Sequence, residues 1–154
     1  VATEVVVTIN ACPPDVTPTL IVRPNIMNGP TTFDLIVRLT ELNGNETVGP
    51  IIVNIPKDPR WILTDGFVQS LTNLGGTDLN NSVWSYSDDA VNHIFTITST
   101  IAASGFSTFG FRVTFDPGGE KGFYTITSQV VSGAGGEVRV SNNTDSERID
   151  YFQQ

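Results

Sequence analysis

Cysteine and histidine each occur only once in this 154-residue chain, as Cys12 and His93. A single cysteine excludes an internal disulfide, and one of each leaves too few ligands for a zinc cluster. Any histidine-based triad would have to use His93, and no Gly-x-Ser-x-Gly elbow accompanies it. His93 heads the alternating run "HIFTITST" and reads as a structural or surface histidine. Lysine is almost as scarce, at Lys57 and Lys121, and 8 basic against 16 acidic residues leave a net charge of −8. Nucleic acid and anionic membranes are recognised by clustered Lys and Arg, so neither is an expected partner. No apolar run approaches the length of about 18 residues that a bilayer span requires, so no membrane insertion is expected. The first residues carry no initiator methionine, basic stretch or apolar stretch. The expectation from this is a mature, processed chain or a natural fragment.

Leucine, lysine and glutamate are sparse, whereas threonine, asparagine, valine and glycine abound. That mixture favours pleated strands and tight turns over helices. Hydrophobic content of 39% over this length suffices for one domain with a real core.

Period-2 alternation, the mark of a half-buried strand, runs through most of the chain. In "TTFDLIVRLTEL", Phe33, Leu35, Val37 and Leu39 share one face and Asp34, Arg38 and Thr40 the other. Ile51, Val53 and Ile55 repeat the device between Pro50 and Pro56. Phe109, Phe111, Val113 and Phe115 form another inward face, as do Tyr124, Ile126 and Val130, and "EVRVSNN" places Val138 and Val140 inward. Turn signals separate these runs at Asn28-Gly29-Pro30, Asn43-Gly44, Gly75-Gly76, Asp116-Pro117-Gly118-Gly119 and Gly133 to Gly136. No window reads as a helix. Eight to ten short strands predict an all-β antiparallel sandwich with Greek-key connections.

Residues 57–92 are less regular and hold both tryptophans, Trp61 and Trp84. Both read as core plugs. The alternative is a ligand surface in which Trp61, Trp84 and Tyr86 stack on a sugar, with "SYSDDAVN" supplying polar groups. The acid pairs Asp88/Asp89, Asp145/Glu147 and Asp116/Glu120 fall in turn-like segments, where carboxylates are ordinarily solvated. A glycosidase pair is therefore not expected, and the chain is read as no enzyme, without cofactor. Hard oxygen ligands for calcium cluster in "NNTDSE" and "SDD", but neither follows a known calcium-loop pattern, and no metal site is assigned. The sequons at Asn45, Asn80 and Asn142 mark surface loops.

The N-terminal stretch "TEVVVTIN" stands apart. Thr3, Val5, Val7 and Ile9 make one apolar-leaning face, followed by the stiff connector "ACPPDVTP". Prolines fix φ and bias the preceding residues to extended geometry, so the strand cannot hairpin tightly onto its successor. Residues 11–18 reach about 25 Å at roughly 3.1 Å per residue. Three readings stay open: an edge strand of its own sandwich, the tail of a preceding repeat, or a donor strand for a neighbouring subunit. Cys12 reads as a free thiol or as a candidate intersubunit disulfide.

The order of "DVTPTLIVRPNIMNGPTTFDLIVRLTELNG", "PIIVNIP", "HIFTITSTIAASGFSTFGFRVTF" and "GGEVRVSNNTDSERIDYF" carries a resemblance over about residues 15–152. The chain resembles the conserved-repeat, Ig-like β-sandwich domains of large secreted surface proteins of gliding and filament-bearing Gram-negative bacteria. The resemblance implies an extracellular or cell-surface stalk, adhesin or filament role, with no enzyme site. It divides the chain into an N-terminal strand and connector over 1–14 and an Ig-like β-sandwich over 15–154. The expectation is a structural subunit that binds copies of itself head to tail, residues 3–10 serving as donor strand. The alternative is a non-polymerising stalk or glycan-binding domain of a large adhesin, with host or environmental glycans as partners.

Overall fold

The computed structural model describes residues 1–6 and 12–153. Alternation along the chain becomes two facing sheets. One has four strands in the order β1 (Val16–Arg23), β3 (Thr31–Glu41), β10 (Phe106–Phe115) and β5 (Trp61–Leu63), all antiparallel. The other has six, in the order β2 (Ile26–Asn28), β12 (Thr144–Phe152), β11 (Gly122–Val130), β4 (Ile51–Pro56), β9 (Asn92–Ile97) and β8 (Trp84–Asp88). Only the β2–β12 pair is parallel. A small hairpin, β6 (Asn73–Leu74) with β7 (Thr77–Asp78), lies apart from both, and no α-helix occurs among the described residues. The fold is the antiparallel β-sandwich expected from the sequence. The extra elements lie in the irregular middle, where strands of two or three residues are too short for periodicity to show.

Side chains from the two inner faces fill the space between the sheets. Phe33, Leu35, Val37, Leu39, Phe109, Phe111, Val113 and Phe115 come from the four-stranded sheet, and Ile51, Val53, Ile55, Phe95, Ile97, Ile126 and Ile149 from the other. Phe95 stacks across the gap on Phe109 at 4.4 Å and on Phe111 at 5.2 Å between ring centroids. Trp84 is enclosed against Phe109 and donates its indole N–H to Ser107 Oγ at 3.0 Å.

A second, smaller core lies on the outer face of the four-stranded sheet. There Ile36, Leu74 and Leu79 pack together beneath the 64–80 segment. Gly110 permits this approach, since a Cβ on it would come within 3.1 Å of both Ile36 and Leu79.

One expected strand is absent. Residues 137–140 form no strand, and Val138 and Val140 are exposed while Glu137 is buried. The inward group is a carboxylate bound to main-chain N–H, which overrides the alternation of the valines.

The strand directions give the domain two ends. β1 begins beside the end of β3, with Val16 opposite Glu41, and β12 finishes beside the start of β11, with Tyr151 opposite Gly122. β1 thus starts at one end of the sandwich and β12 stops at the other.

Candidate functional site

A β-sandwich accepts further strands only at its sheet edges, where main-chain groups lack partners. Four strands stand at edges: β1, β5, β2 and β8. In β1, the Asp15 carbonyl accepts the Leu42 N–H at 2.8 Å, so Val16, Pro18, Leu20 and Val22 turn their main-chain groups outward. Those positions are largely closed. Val16 N–H meets Glu137 Oε2 at 3.4 Å, Leu20 N–H meets Asp145 Oδ2 at 2.7 Å, and Pro18 has no N–H to offer. Burial raises the Glu137 pKa above the ordinary carboxylate value, against the hydrogen bonds from Asn143 and Val16.

At the other side of the same sheet, β5 covers only Val113 to Phe115 of β10. Beyond it Thr64 N–H bonds the Arg112 carbonyl, and two asparagines cap Gly110 and Thr108. Asn80 N–H bonds the Thr108 carbonyl at 2.7 Å, and its Oδ1 accepts the Thr108 N–H at 3.0 Å. Asn81, fully buried, accepts the Gly110 N–H at 3.0 Å and donates to the Gly110 carbonyl at 2.8 Å. Asn80 and Asn81 here take the place of a strand, three of the four bonds coming from their side-chain amides.

β8 is different. Asp89 N–H is bonded to the Asn92 carbonyl, so Trp84, Tyr86 and Asp88 face away from β9. Trp84 is satisfied at both groups, by the Asn81 carbonyl and by Gln69 Nε2 at 2.6 Å. The outward main-chain groups of Tyr86 and Asp88 have no partner among the described residues.

Beside this open edge lies a cleft of about 610 Å³ between β8 and β5, lined by Trp61, Ile62, Tyr86, Asp88 and His93, with Lys57 and Asp58 at its rim. The chain passes from one sheet to the other through residues 57–60, which close the cleft at the end where β12 finishes. Its floor is aromatic: His93 lies 4.7 Å from Trp61 and 6.0 Å from Tyr86 between ring centroids. Trp61 Nε1–H donates to Tyr124 Oη at 2.9 Å, and Tyr86 Oη shares a 2.9 Å hydrogen bond with His93 Nδ1. Burial lowers the His93 pKa and raises that of Tyr86, so both are neutral near pH 7. Lys57 pairs with Asp88 across the rim, and Arg60 is gripped by Asp58 through two bonds of 2.7 and 2.8 Å.

The structure brings Trp61 and Tyr86 together here but not Trp84, which is enclosed in the core and offers no face to a sugar ring. The three-ring platform is therefore not formed: Trp84 shares the inward face of β8 with Tyr86 but lies two residues further into the sandwich, packed on Phe109. His93 contacts aromatic rings and the Tyr86 hydroxyl rather than a nucleophile. The acid pairs are engaged in turns and edges: Asp89 accepts the Val91 and Asn92 N–H groups, Asp116 that of Gly118, and Asp145 that of Leu20. No group of three or more His, Cys, Asp or Glu is arranged to hold a metal among the described residues.

Of the proposed donor face, Thr3 and Val5 belong to an exposed segment, residues 1–6, which forms no strand; Val7 and Ile9 lie outside the described residues. Val1, Val5 and Val6 are all strongly exposed. Cys12 is exposed and free, next to Pro13, whose carbonyl accepts Asn43 Nδ2 at 3.0 Å. The segment departs from the end of the sandwich opposite the Trp61 cleft.

No protein-family model matches the chain, and no curated protein does. Among solved structures it is similar to the CARDB domain of a Pyrococcus furiosus protein, solved in complex with di-metal ions. That likeness has TM-score 0.59 and 15% identity and covers 96% of this chain and 100% of that one. A cohesin module from a Clostridium perfringens family 33 glycoside hydrolase gives 0.57 at 13% identity, over 90% and 98% of the two chains. The full-length major pilin SpaD of Corynebacterium diphtheriae gives 0.54 at 11% identity, over 88% of this chain and 34% of the pilin. These likenesses show the fold, a β-sandwich of the kind found in CARDB, cohesin and pilin domains.

Proposed function

We propose that this chain is a structural β-sandwich domain of a bacterial extracellular filament or fibrous surface adhesin, joined head to tail through its N-terminal segment. One observation carries the reading: an exposed, valine-rich segment leaves one end of a sandwich whose last strand finishes at the other end. Domains laid out in this way link into a line, and a head-to-tail contact that does not close gives an open filament. The pilin and cohesin likenesses support a structural, surface-exposed role, and the net charge of −8 disfavours nucleic acid. The repeat domains of gliding Gram-negative bacteria remain the sequence resemblance behind the same reading. Cys12 is free and exposed at the root of the segment, and in an oxidising compartment this reading has it cross-link neighbours.

Deleting residues 1–11 tests the reading. The truncated protein is expected to fold, since β1 begins at Val16, and to stay monomeric by light scattering while the full chain forms filaments under negative stain. Filaments from the truncated protein would remove the segment from assembly.

The cleft supports a second reading, a glycan-binding stalk domain, because an aromatic ring, Tyr86, and the carboxylates of Asp58 and Asp88 line it together. A sugar array probed with wild type and Tyr86→Ala decides it. Binding lost in the variant favours the glycan, and no binding by either protein rejects it.

A further inference from the structure

We infer that the cleft between β5 and β8 is the acceptor for the N-terminal segment of a second copy of this chain, which adds to the outer edge of β8. The inference rests on the head-to-tail reading and names the surface that reading requires. The edges compete unequally. β1 is blocked at Val16 by Glu137, at Pro18 by its missing N–H and at Leu20 by Asp145, which leaves Val22 alone, and β10 is capped at Thr108 and Gly110 by Asn80 and Asn81. β2 and β5 have three residues each, and β5 is followed by a bridge between Thr64 and Gly66. β8 keeps the outward groups of Tyr86 and Asp88 and has an aromatic cleft beside it. An added strand offers main-chain bonds to such an edge and sends alternate side chains into the groove. A valine-rich strand matches an aromatic floor.

Distance selects a second copy over the segment's own chain. Asp15 lies opposite Leu42 and Trp61 opposite Phe115, itself opposite Thr31, so the two are about 36 Å apart along the strands, and three strand spacings from β1 to β5 add about 14 Å across the sheet. The straight line from Asp15 to the chain's own Trp61 is then about 39 Å and passes through the protein. Nine residue steps from Asp15 to Val6 reach about 30 Å only when fully stretched. Any route around the surface is longer, whereas a neighbour placed end-on brings its cleft to the segment.

Disulfide trapping tests this. In a Cys12→Ser background, one protein carries Val5→Cys and is mixed with a second carrying Ala90→Cys, in the loop lining the cleft, or Ser99→Cys, exposed beyond the far end of β9. The mixed dimer is expected to form at least about tenfold faster with Ala90→Cys than with Ser99→Cys, the ratio a specific docking of modest strength produces. Equal rates at the two sites overturn the inference. So does a tenfold loss of association on deleting residues 1–11 together with no trapping at position 90, an outcome that leaves the head-to-tail reading standing. Absence of any association by sedimentation removes both. Asp88→Pro, which deletes one outward N–H without touching the β8–β9 ladder, is expected to reduce the Ala90→Cys trapping. Unchanged trapping in a folded Asp88→Pro protein excludes addition to β8.

Discussion

Asp145 Oδ2 accepts the main-chain N–H of Leu20 at 2.7 Å, tying the last strand to the first across 125 residues. This bond and the one from Val16 to Glu137 close the β1 edge on either side of Pro18, which has no N–H of its own. Asp145→Ala is expected to lower stability by about 1–3 kcal/mol, the cost of a lost charge-assisted bond to a partly buried N–H. Urea midpoints measure it. The same variant should gain a weak self-association through β1. Unchanged stability would mean that water serves Leu20 equally well.

Glu41 gives a pH dependence. Its buried carboxylate accepts main-chain N–H groups from Asp15, Asn43, Gly44, Asn45 and Ser104 at 2.8–3.3 Å. Burial alone would raise its pKa, but these hydrogen bonds outweigh burial and hold it below the ordinary value. A depressed carboxylate stabilises the fold fully above the unfolded pKa, about 4.3, and loses that contribution as pH falls through the lower folded value. Glu41→Gln is expected to cost about 2–3 kcal/mol at pH 7. Its difference from wild type should shrink as pH drops below 4. A gap independent of pH would locate the loss in packing rather than charge.

The inner faces were legible because alternation is a local property. Phe33 to Leu39, Ile51 to Ile55 and Phe109 to Phe115 each face inward as their spacing demands. The segment at 137–140 departs from its pattern because Val138 and Val140 alternate as a strand would, while the deciding bond, from Val16 N–H to Glu137, spans 121 residues. Edge closure by Asn80, Asn81 and Asp145 is equally hidden, since a polar residue looks the same in sequence whether it meets water or another strand. Pro18, two residues into β1, was the one readable mark of an edge. The cleft joins Trp61 to Tyr86 and His93 through the pairing of β9 with β8 and the crossing at 57–60, and single-strand periodicity carries neither. Trp84 and Trp61 are both buried, as expected of core plugs.

Arg60 fastens the two sheets at the cleft end. Its guanidinium grips Asp58, donates to Tyr151 Oη at 2.8 Å and lies 4.5 Å from the Tyr124 ring centroid. Lysine keeps the charge but not the planar fork. Arg60→Lys is expected to lose about 1–2 kcal/mol from the charged hydrogen bonds, seen as a lower urea midpoint. Full rescue by lysine would reduce the role of Arg60 to charge alone.

The donor segment has two faces, and they should respond differently to a carboxylate. Alternation puts Val5 with Thr3, Val7 and Ile9, and Val6 with Glu4 and Thr8. Val5 and Val6 are each 78% exposed on the isolated chain, so aspartate at either is expected to change its stability by less than about 0.5 kcal/mol. Assembly separates them. If the Val5 face enters a neighbour's groove, Val5→Asp forfeits burial worth about 1.5–3 kcal/mol, or roughly 10- to 150-fold in association. A buried unpaired carboxylate costs more still. Val6→Asp, on the wet face, should assemble nearly as wild type does. The measurement is the critical concentration for polymer, compared across the two variants. Equal losses would mean that the added strand is covered on both faces. The reverse order would put Glu4, Val6 and Thr8 in the groove, and unchanged assembly in both would exclude this segment as the donor.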